Sequence, residues 1–120
     1  MSKKKVKPKF RVLSKVVAER FGINRRDLVS GGSAFVFCRP RAVLCYIAVR
    51  HFKFVLSQLG MMMDKDHTTI LHSVRMAKKL DLVPKEFVQE IVQETIDRSI
   101  AEAAFHKEDL RRFFDERQSV

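Results

Sequence analysis

Apolar residues recur every three or four positions through most of this 120-residue chain. That spacing collects apolar side chains on one face of an α-helix. Only four glycines and three prolines are present, which is too few for an all-β chain with many turns. The length suits one domain with a single modest core. We therefore expect an all-α protein.

Two helices are predicted in the first part of the chain. The first begins at Phe10 and ends before Gly22, because glycine is the usual residue just after a helix. Asn24 can cap a short second helix, since its side-chain oxygen accepts from free backbone amides. Residues 30–33 read Ser-Gly-Gly-Ser and are predicted to form a loop.

A third helix is predicted after Pro40, because proline favours the first turn of a helix. It runs over residues 41–52, and its inner face holds Val43, Leu44, Ile47 and Ala48. Core or interface packing is favoured over stacking on single-stranded DNA for four nearby aromatic residues, Phe35, Phe37, Phe52 and Phe54.

A short helix, a turn and a second helix follow in the prediction. The short helix covers residues 55–60 and the turn covers residues 61–65, with three methionines, Met61, Met62 and Met63, filling the core behind it. Asp66 is a good N-cap for a helix that ends near Leu80. The apolar stripe of that helix holds Ile70, Leu71, Val74 and Ala77.

A last, long helix is predicted to begin at Pro84 and to break at His106 and Lys107. Its apolar stripe holds Val88, Val92, Ile96 and Ile100. A stripe of this width needs a cover, either residues 10–60 of the same chain or a partner, which is a second copy or another protein. The predicted organisation is a disordered basic tail (1–9), a DNA-binding domain (10–82) and a C-terminal helical extension (83–120).

Charge is unevenly distributed along the chain, whose formal net charge is +10. Residues 1–84 hold 18 Lys and Arg against 5 Asp and Glu, a balance of +13, and residues 85–120 hold 6 against 9, a balance of −3. Such asymmetry indicates that one part of the molecule meets a polyanion. The five lysines of the tail are either an arm that binds phosphates or a solubilising end.

Several classes of protein are not supported by the sequence. Cys38 and Cys45 are too few for a disulfide scaffold or a zinc site. His67 and His72 diverge by about 140° on one helix, so they cannot share a metal. We find no nucleotide-binding loop, no nucleophilic triad and no run of 18 apolar residues. We expect no enzyme, cofactor, metal, nucleotide or membrane partner, and a cytoplasmic, nucleoid-associated location.

The residues that open the helix at Asp66 can address DNA. Carboxylate, imidazole and threonine groups suit base edges or phosphates, and they come in sequence as Asp66, His67, Thr68 and Thr69. A helix N-terminus also directs free amides toward anions. The pattern alone is ambiguous, because Asp and Thr are common helix starters. Basic residues nearby strengthen it: Lys65 just before, Arg75, Lys78 and Lys79 later on the same helix, and Arg39 and Arg41 at another helix start. His72, also on this helix, is a further candidate for DNA binding.

From Val12 to Leu80 the chain resembles the C-terminal DNA-binding domain of the bacterial replication initiator DnaA. The resemblance lies in VVAERFGINRRDLVS, RPRAV, LSQLG and, most strongly, DKDHTTILHSVRMAKKL. It implies an all-α helix-turn-helix bundle of the Trp-repressor type, to which this chain adds a C-terminal helix.

The resemblance also implies roles for single residues. The four residues 66–69 match those that read the major groove, and Arg39 and Arg41 match arginines beside the DNA backbone. Leu59 and Gly60 match a pair that lets the two helices pack closely. The chain departs from the family at residues 30–38, where the loop is uncharged and Ser33 stands in place of an arginine that enters the minor groove.

The favoured interpretation is a sequence-specific double-stranded DNA-binding protein, bacterial or from a bacteriophage, that regulates transcription or replication. It would read the major groove with the helix that begins at Asp66. The alternative is a protein-interaction module derived from such a domain, which binds a replication or transcription partner through Phe35, Val36, Phe37 and the C-terminal helix.

Overall fold

A computed structural model describes residues 8–30 and 37–118, with side chains as far as Ala104. Within these residues there are six α-helices and no strand, which confirms the predicted all-α class. The helices are α1 Phe10–Phe21, α2 Arg25–Ser30, α3 Cys38–Arg50, α4 Leu56–Met63, α5 His67–Lys79 and α6 Lys85–Gln118.

The ends of α1 and α2 follow the residues that predicted them. Gly22 adopts the left-handed conformation (φ 65°), and the Ile23 amide donates to the Ala18 carbonyl at 3.0 Å. The Asn24 side chain accepts from the Arg26 amide at 2.9 Å. The prediction of a loop from Ser30 is wrong at that residue, which ends α2, and the rest of that loop lies outside the described residues.

Helix α3 is the centre of the bundle, since it packs against α1, α2 and α5. The predicted inner face is confirmed, because Val43, Leu44, Ile47 and Ala48 are all completely buried. Its apolar partners include Leu13, Val16 and Val17 of α1 and Ile70 and Val74 of α5. Phe52 is also buried, and Phe54 packs its ring edge-on against Phe10 at 6.1 Å.

The turn between α4 and α5 is shorter than predicted. Helix α4 continues through the three methionines to Met63, and the chain reverses at Asp64, which has a φ of 53°. Methionine favours the helix, so it does not end α4. The prediction of core packing is right for Met63, which is 1% exposed, but wrong for Met61 (84%) and Met62 (40%).

Gly60 permits the close approach of α4 to this turn. The Lys65 amide donates to the Gly60 carbonyl at 2.8 Å and satisfies one of the carbonyls at the end of the helix. A Cβ atom on Gly60 would lie 2.5 Å from the Lys65 carbonyl oxygen. The neighbouring Leu59 is fully buried, so the pair that the family resemblance singled out fixes how α4 meets α5.

Helix α6 runs without interruption from Lys85 to Gln118. The predicted break at His106 and Lys107 is wrong. No glycine or proline lies inside this segment, and its Ala, Glu, Leu, Lys and Arg residues favour the helix.

The first half of α6 packs antiparallel against α1. Phe87 meets Phe21 edge-on at 5.9 Å near one end of the contact, and Glu102 pairs with Arg11 at 3.0 Å near the other. The fold-back interpretation of the stripe therefore holds for its first part: Val88 and Ile91 are buried in the core, and Val92 and Ile96 are half-buried beside it. Ile100 is 50% exposed, so a partner that covers this end of the stripe stays a prediction.

Substitutions in α6 can separate core from surface. Ile91→Ala should lower the free energy of unfolding by about 2–4 kcal/mol, because it opens a cavity in a fully buried site. Ile100→Ala should change it by less than about 0.5 kcal/mol in a monomer. Urea denaturation followed by circular dichroism measures both. Equal effects would contradict the packing of α6 on α1.

Gly60→Ala tests the close approach at the turn. Alanine stabilises a helix interior by about 1 kcal/mol over glycine, yet here its Cβ would collide with a backbone carbonyl that cannot rotate away. We expect a net loss of about 1–3 kcal/mol in urea denaturation. Gln58→Ala, on the exposed side of α4, is the control. A Gly60→Ala variant as stable as the native chain would show that the turn yields easily.

Candidate nucleic-acid interface

Asp66 begins α5 as the predicted N-cap. Its backbone is extended (φ −67°, ψ 146°), and its Oδ1 accepts from the Thr68 amide at 3.4 Å. The same oxygen lies 3.0 Å from Nδ1 of His67. The hydrogen bond from the Thr68 amide holds the pKa of the Asp66 carboxyl below its usual range, with the nearby His67 as a smaller cause. Asp66 therefore presents an ionised carboxylate whose Oδ1 is occupied by the helix start.

The buried face of α5 determines what the helix exposes. Ile70, Val74 and Ala77 are buried, as predicted, whereas Leu71 is only half-buried. Because successive residues turn by about 100°, the side directly opposite the buried face forms one ridge. That ridge, hereafter the outer ridge, consists of Thr68, His72, Arg75 and Lys79, all exposed. His67 and Thr69 are also exposed, on the two flanks of this ridge.

The two arginines of the Arg-Pro-Arg motif have different positions. Arg39 is exposed in the first turn of α3. Arg41 is buried, and its guanidinium donates to the backbone carbonyls of Leu28 at 2.9 Å and Asp27 at 3.1 Å. It also lies 5.6 Å from the centre of the Phe37 ring. Arg41 thus holds the end of α2 against α3, while its predicted contact with the DNA backbone stays a prediction.

A second buried contact supports the same region. The Nε of Arg25 donates to the Ser14 hydroxyl at 2.7 Å, and that hydroxyl donates to the Arg11 carbonyl at 3.0 Å. Ser14 is fully buried, so this contact ties α2 to α1. The sequence prediction missed it, because a serine within an apolar stripe carries no local sign of its partner.

The ion pairs of the described residues lie mainly where α6 meets α1 rather than on the surface around α5. Three glutamates of α6 pair with arginines of α1: Glu90 and Glu94 lie 3.1 and 3.2 Å from Arg20, and Glu102 lies 3.0 Å from Arg11. Arg98 lies 2.6 Å from Glu19, and this contact raises the pKa of Arg98. By contrast, within the described residues no ion pair involves five cations of α3, α5 and the turn: Arg39, Lys65, Arg75, Lys78 and Lys79.

The two cysteines, Cys38 and Cys45, are the remaining candidates for a disulfide or a metal site. Cys45 is buried against the Met63 sulfur at 3.9 Å, and burial raises the pKa of its thiol to about 12. Cys38 is half-buried, and neither cysteine is in a disulfide. In the described part of the chain, no cluster of His, Cys, Asp and Glu could hold a metal ion. Nor is any helix there long and apolar enough to cross a membrane.

The role of Arg41 can be tested against that of Arg39. Arg41→Ala should lower the free energy of unfolding by about 1.5–3 kcal/mol, because it leaves the buried Leu28 carbonyl and the part-buried Asp27 carbonyl without a charged donor. Arg39→Ala should cost less than about 0.5 kcal/mol, since its side chain is exposed. Thermal and urea denaturation measure the difference. A fully stable Arg41→Ala variant with a reduced salt dependence of DNA binding would instead assign Arg41 to a phosphate.

Comparison with known proteins places this arrangement in a family. The chromosomal replication initiator DnaA of Rhodopseudomonas palustris (strain BisB5) is 33% identical over 91 residues, which are 75% of this chain and 19% of the initiator. The initiator of Anaplasma marginale (strain St. Maries) is 35% identical over 69 residues, 57% of this chain and 15% of its own length. The chain thus matches between about a seventh and a fifth of the length of these relatives.

The relatives give no support to the expected bacteriophage source or to transcription regulation, which stay predictions. Residues 11–76 match the family described as the bacterial dnaA protein helix-turn-helix. They include all of α1 except Phe10, then α2 to α4 and most of α5. The chain therefore belongs to the family of bacterial DnaA helix-turn-helix domains.

Proposed function

We propose that this protein binds double-stranded DNA in a sequence-dependent manner, with the start of α5 in the major groove. The observation that carries the proposal is the sorting of charge around that helix. Within the described residues, exposed cations without ion pairs lie on α5 and at the start of α3, and the half-buried Lys65 lies on the turn before α5, whereas three glutamates of α6 pair with arginines of α1. A surface of this kind attracts a polyanion.

The start of α5 has the chemistry to read bases. Oδ2 of Asp66 can accept from a cytosine amino group while Oδ1 caps the helix. The exposed imidazole of His67 can donate or accept, and the Thr68 methyl can pack on a thymine methyl. Farther along the outer ridge, Arg75 can donate to both acceptors of a guanine. His72 lies between Thr68 and Arg75 and completes the reading surface.

Phosphate contacts would orient the domain on the duplex. Two candidates for these contacts are the guanidinium of Arg39, at the start of α3, and the ammonium of Lys65, just before α5. Lysines in residues 1–9 would add charge, although residues 1–7 lie outside the described part of the chain. Such contacts supply affinity but little sequence information.

We assign the function to replication initiation, because the curated relatives are named chromosomal replication initiators. The protein would act in the bacterial cytoplasm, at the nucleoid. A homodimer or another protein could still engage the exposed part of α6 around Ile100. The competing function, a protein-interaction module without DNA binding, has weaker support: Phe37 is half-buried against Arg41, and the first half of α6 is already covered by α1.

Base reading can be separated from general DNA binding. The native chain is first used to select duplexes from random sequence. His67→Ala and Thr68→Ala should then weaken binding to the selected duplex by about 1–3 kcal/mol and leave binding to a random duplex nearly unchanged. Gln89→Ala, an exposed residue of α6, is the control. Fluorescence anisotropy measures each dissociation constant.

Two outcomes would contradict the proposal in different ways. Equal losses on the selected and random duplexes would show that residues 67 and 68 do not read bases. Absence of duplex binding by the native chain, or binding that does not weaken as salt rises, would exclude the DNA-binding function and favour the protein-interaction module.

A further inference from the structure

Lys79 continues the outer ridge of α5 toward the C-terminal end of the helix. It is eleven residues beyond Thr68, so the two lie within about 20° around the helix axis and about 16 Å apart along it. Lys79 is exposed. It lies within the resemblance from Val12 to Leu80 but beyond residues 11–76, which match the bacterial dnaA protein helix-turn-helix.

The charge around Lys79 lacks an internal partner. Arg75 lies one helical turn before it on the same ridge, and like charges at this spacing repel each other. Within the described residues, no carboxylate forms an ion pair with either side chain. An anion that both cations face would relieve this repulsion.

The dimensions of DNA indicate which anion this is. The major groove is about 12 Å wide, so a residue about 16 Å along the ridge from Thr68 lies past the base edges when the helix start is in the groove. The sugar-phosphate backbone forms the wall of the groove at that distance. An ammonium on a long, flexible stem suits a single phosphate.

We propose that Lys79 binds a phosphate at the edge of the major groove and anchors the C-terminal end of α5. This inference rests on the proposed insertion of α5 into the groove. Contacts at both ends would define the angle at which the helix crosses the groove, and so which bases the residues near Asp66 reach.

Lys78 provides a matched control one residue away. It has the same side chain and the same exposure, but it lies about 100° around the helix from Lys79 and off the outer ridge. Glutamine keeps the helix propensity close to that of lysine. The Lys79→Gln and Lys78→Gln variants therefore differ chiefly in the direction of the lost charge.

The first measurement is the salt dependence of binding to the duplex selected by the native chain. Lys79→Gln should lower the slope of log K against log salt by about 0.9 and weaken binding about five- to tenfold near 0.1 M salt. The loss should be equal on a random duplex, since a phosphate contact carries no sequence information. Lys78→Gln should change the slope by less than half as much. Equal slopes for the two variants would overturn the proposal.

The second measurement identifies the phosphate. Single phosphates of the selected duplex are replaced in turn by neutral methylphosphonates. At one position flanking the selected bases, the substitution should weaken binding of the native chain and of Lys78→Gln but leave Lys79→Gln unaffected. Uniform responses of all three proteins would overturn the anchor while leaving the proposed function intact. Failure of the native chain to bind duplex DNA would instead contradict the proposed function itself.

Discussion

The burial of α3 on nearly every side determines the arrangement of the other helices. Residues 40–45 are all buried, and so are Ile47 and Ala48. A helix enclosed in this way needs a separate partner on each face, and α1 and α5 cover two of those faces. Because α6 packs on α1 rather than on α3, the chain places α5 and its C-terminal helix α6 against different parts of the bundle.

The same enclosure explains the position of Arg41. A cation within a buried helix needs compensation, since a buried charge without partners is very costly. The carbonyls of Asp27 and Leu28, at the end of α2, supply it. The family resemblance implies that both motif arginines lie beside DNA. In this chain the Arg41 side chain is buried and bonded to the end of α2, whereas the Arg39 side chain is exposed.

The acidic C-terminal segment has an electrostatic role in this arrangement. Glu90, Glu94 and Glu102 neutralise arginines of α1, whereas Arg39 at the start of α3 and the cations of α5 form no ion pair within the described residues. These surface ion pairs contribute little to stability individually. Their larger effect is on the electrostatic field of the molecule, because they reduce the attraction for a polyanion on the face where α6 meets α1.

The sequence predicted the features that depend on neighbouring residues. Gly22 and Asp66 define helix ends through local backbone chemistry, and both were identified correctly. The buried faces of α3 and α5 were also found, because apolar spacing reports them directly. Features that depend on distant residues were missed: the contact between Arg25 and Ser14, the burial of Arg41, and the burial of Ile91 and Thr95 on α6. Nothing in the local sequence marks such partners.

The sequence prediction ended α4 three residues too early. Three consecutive methionines were interpreted as a turn with core-filling side chains, but methionine also favours the helix.

We propose that the start of α5 faces DNA while the first half of α6 faces away. A titration of the ¹⁵N-labelled chain with a short duplex, followed through backbone amide resonances, distinguishes the two surfaces. We expect shifts at residues 66–69, 72 and 75, and at Arg39, with residues 86–102 of α6 unchanged. Shifts concentrated on residues 86–102, with residues 66–69 unaffected, would contradict it.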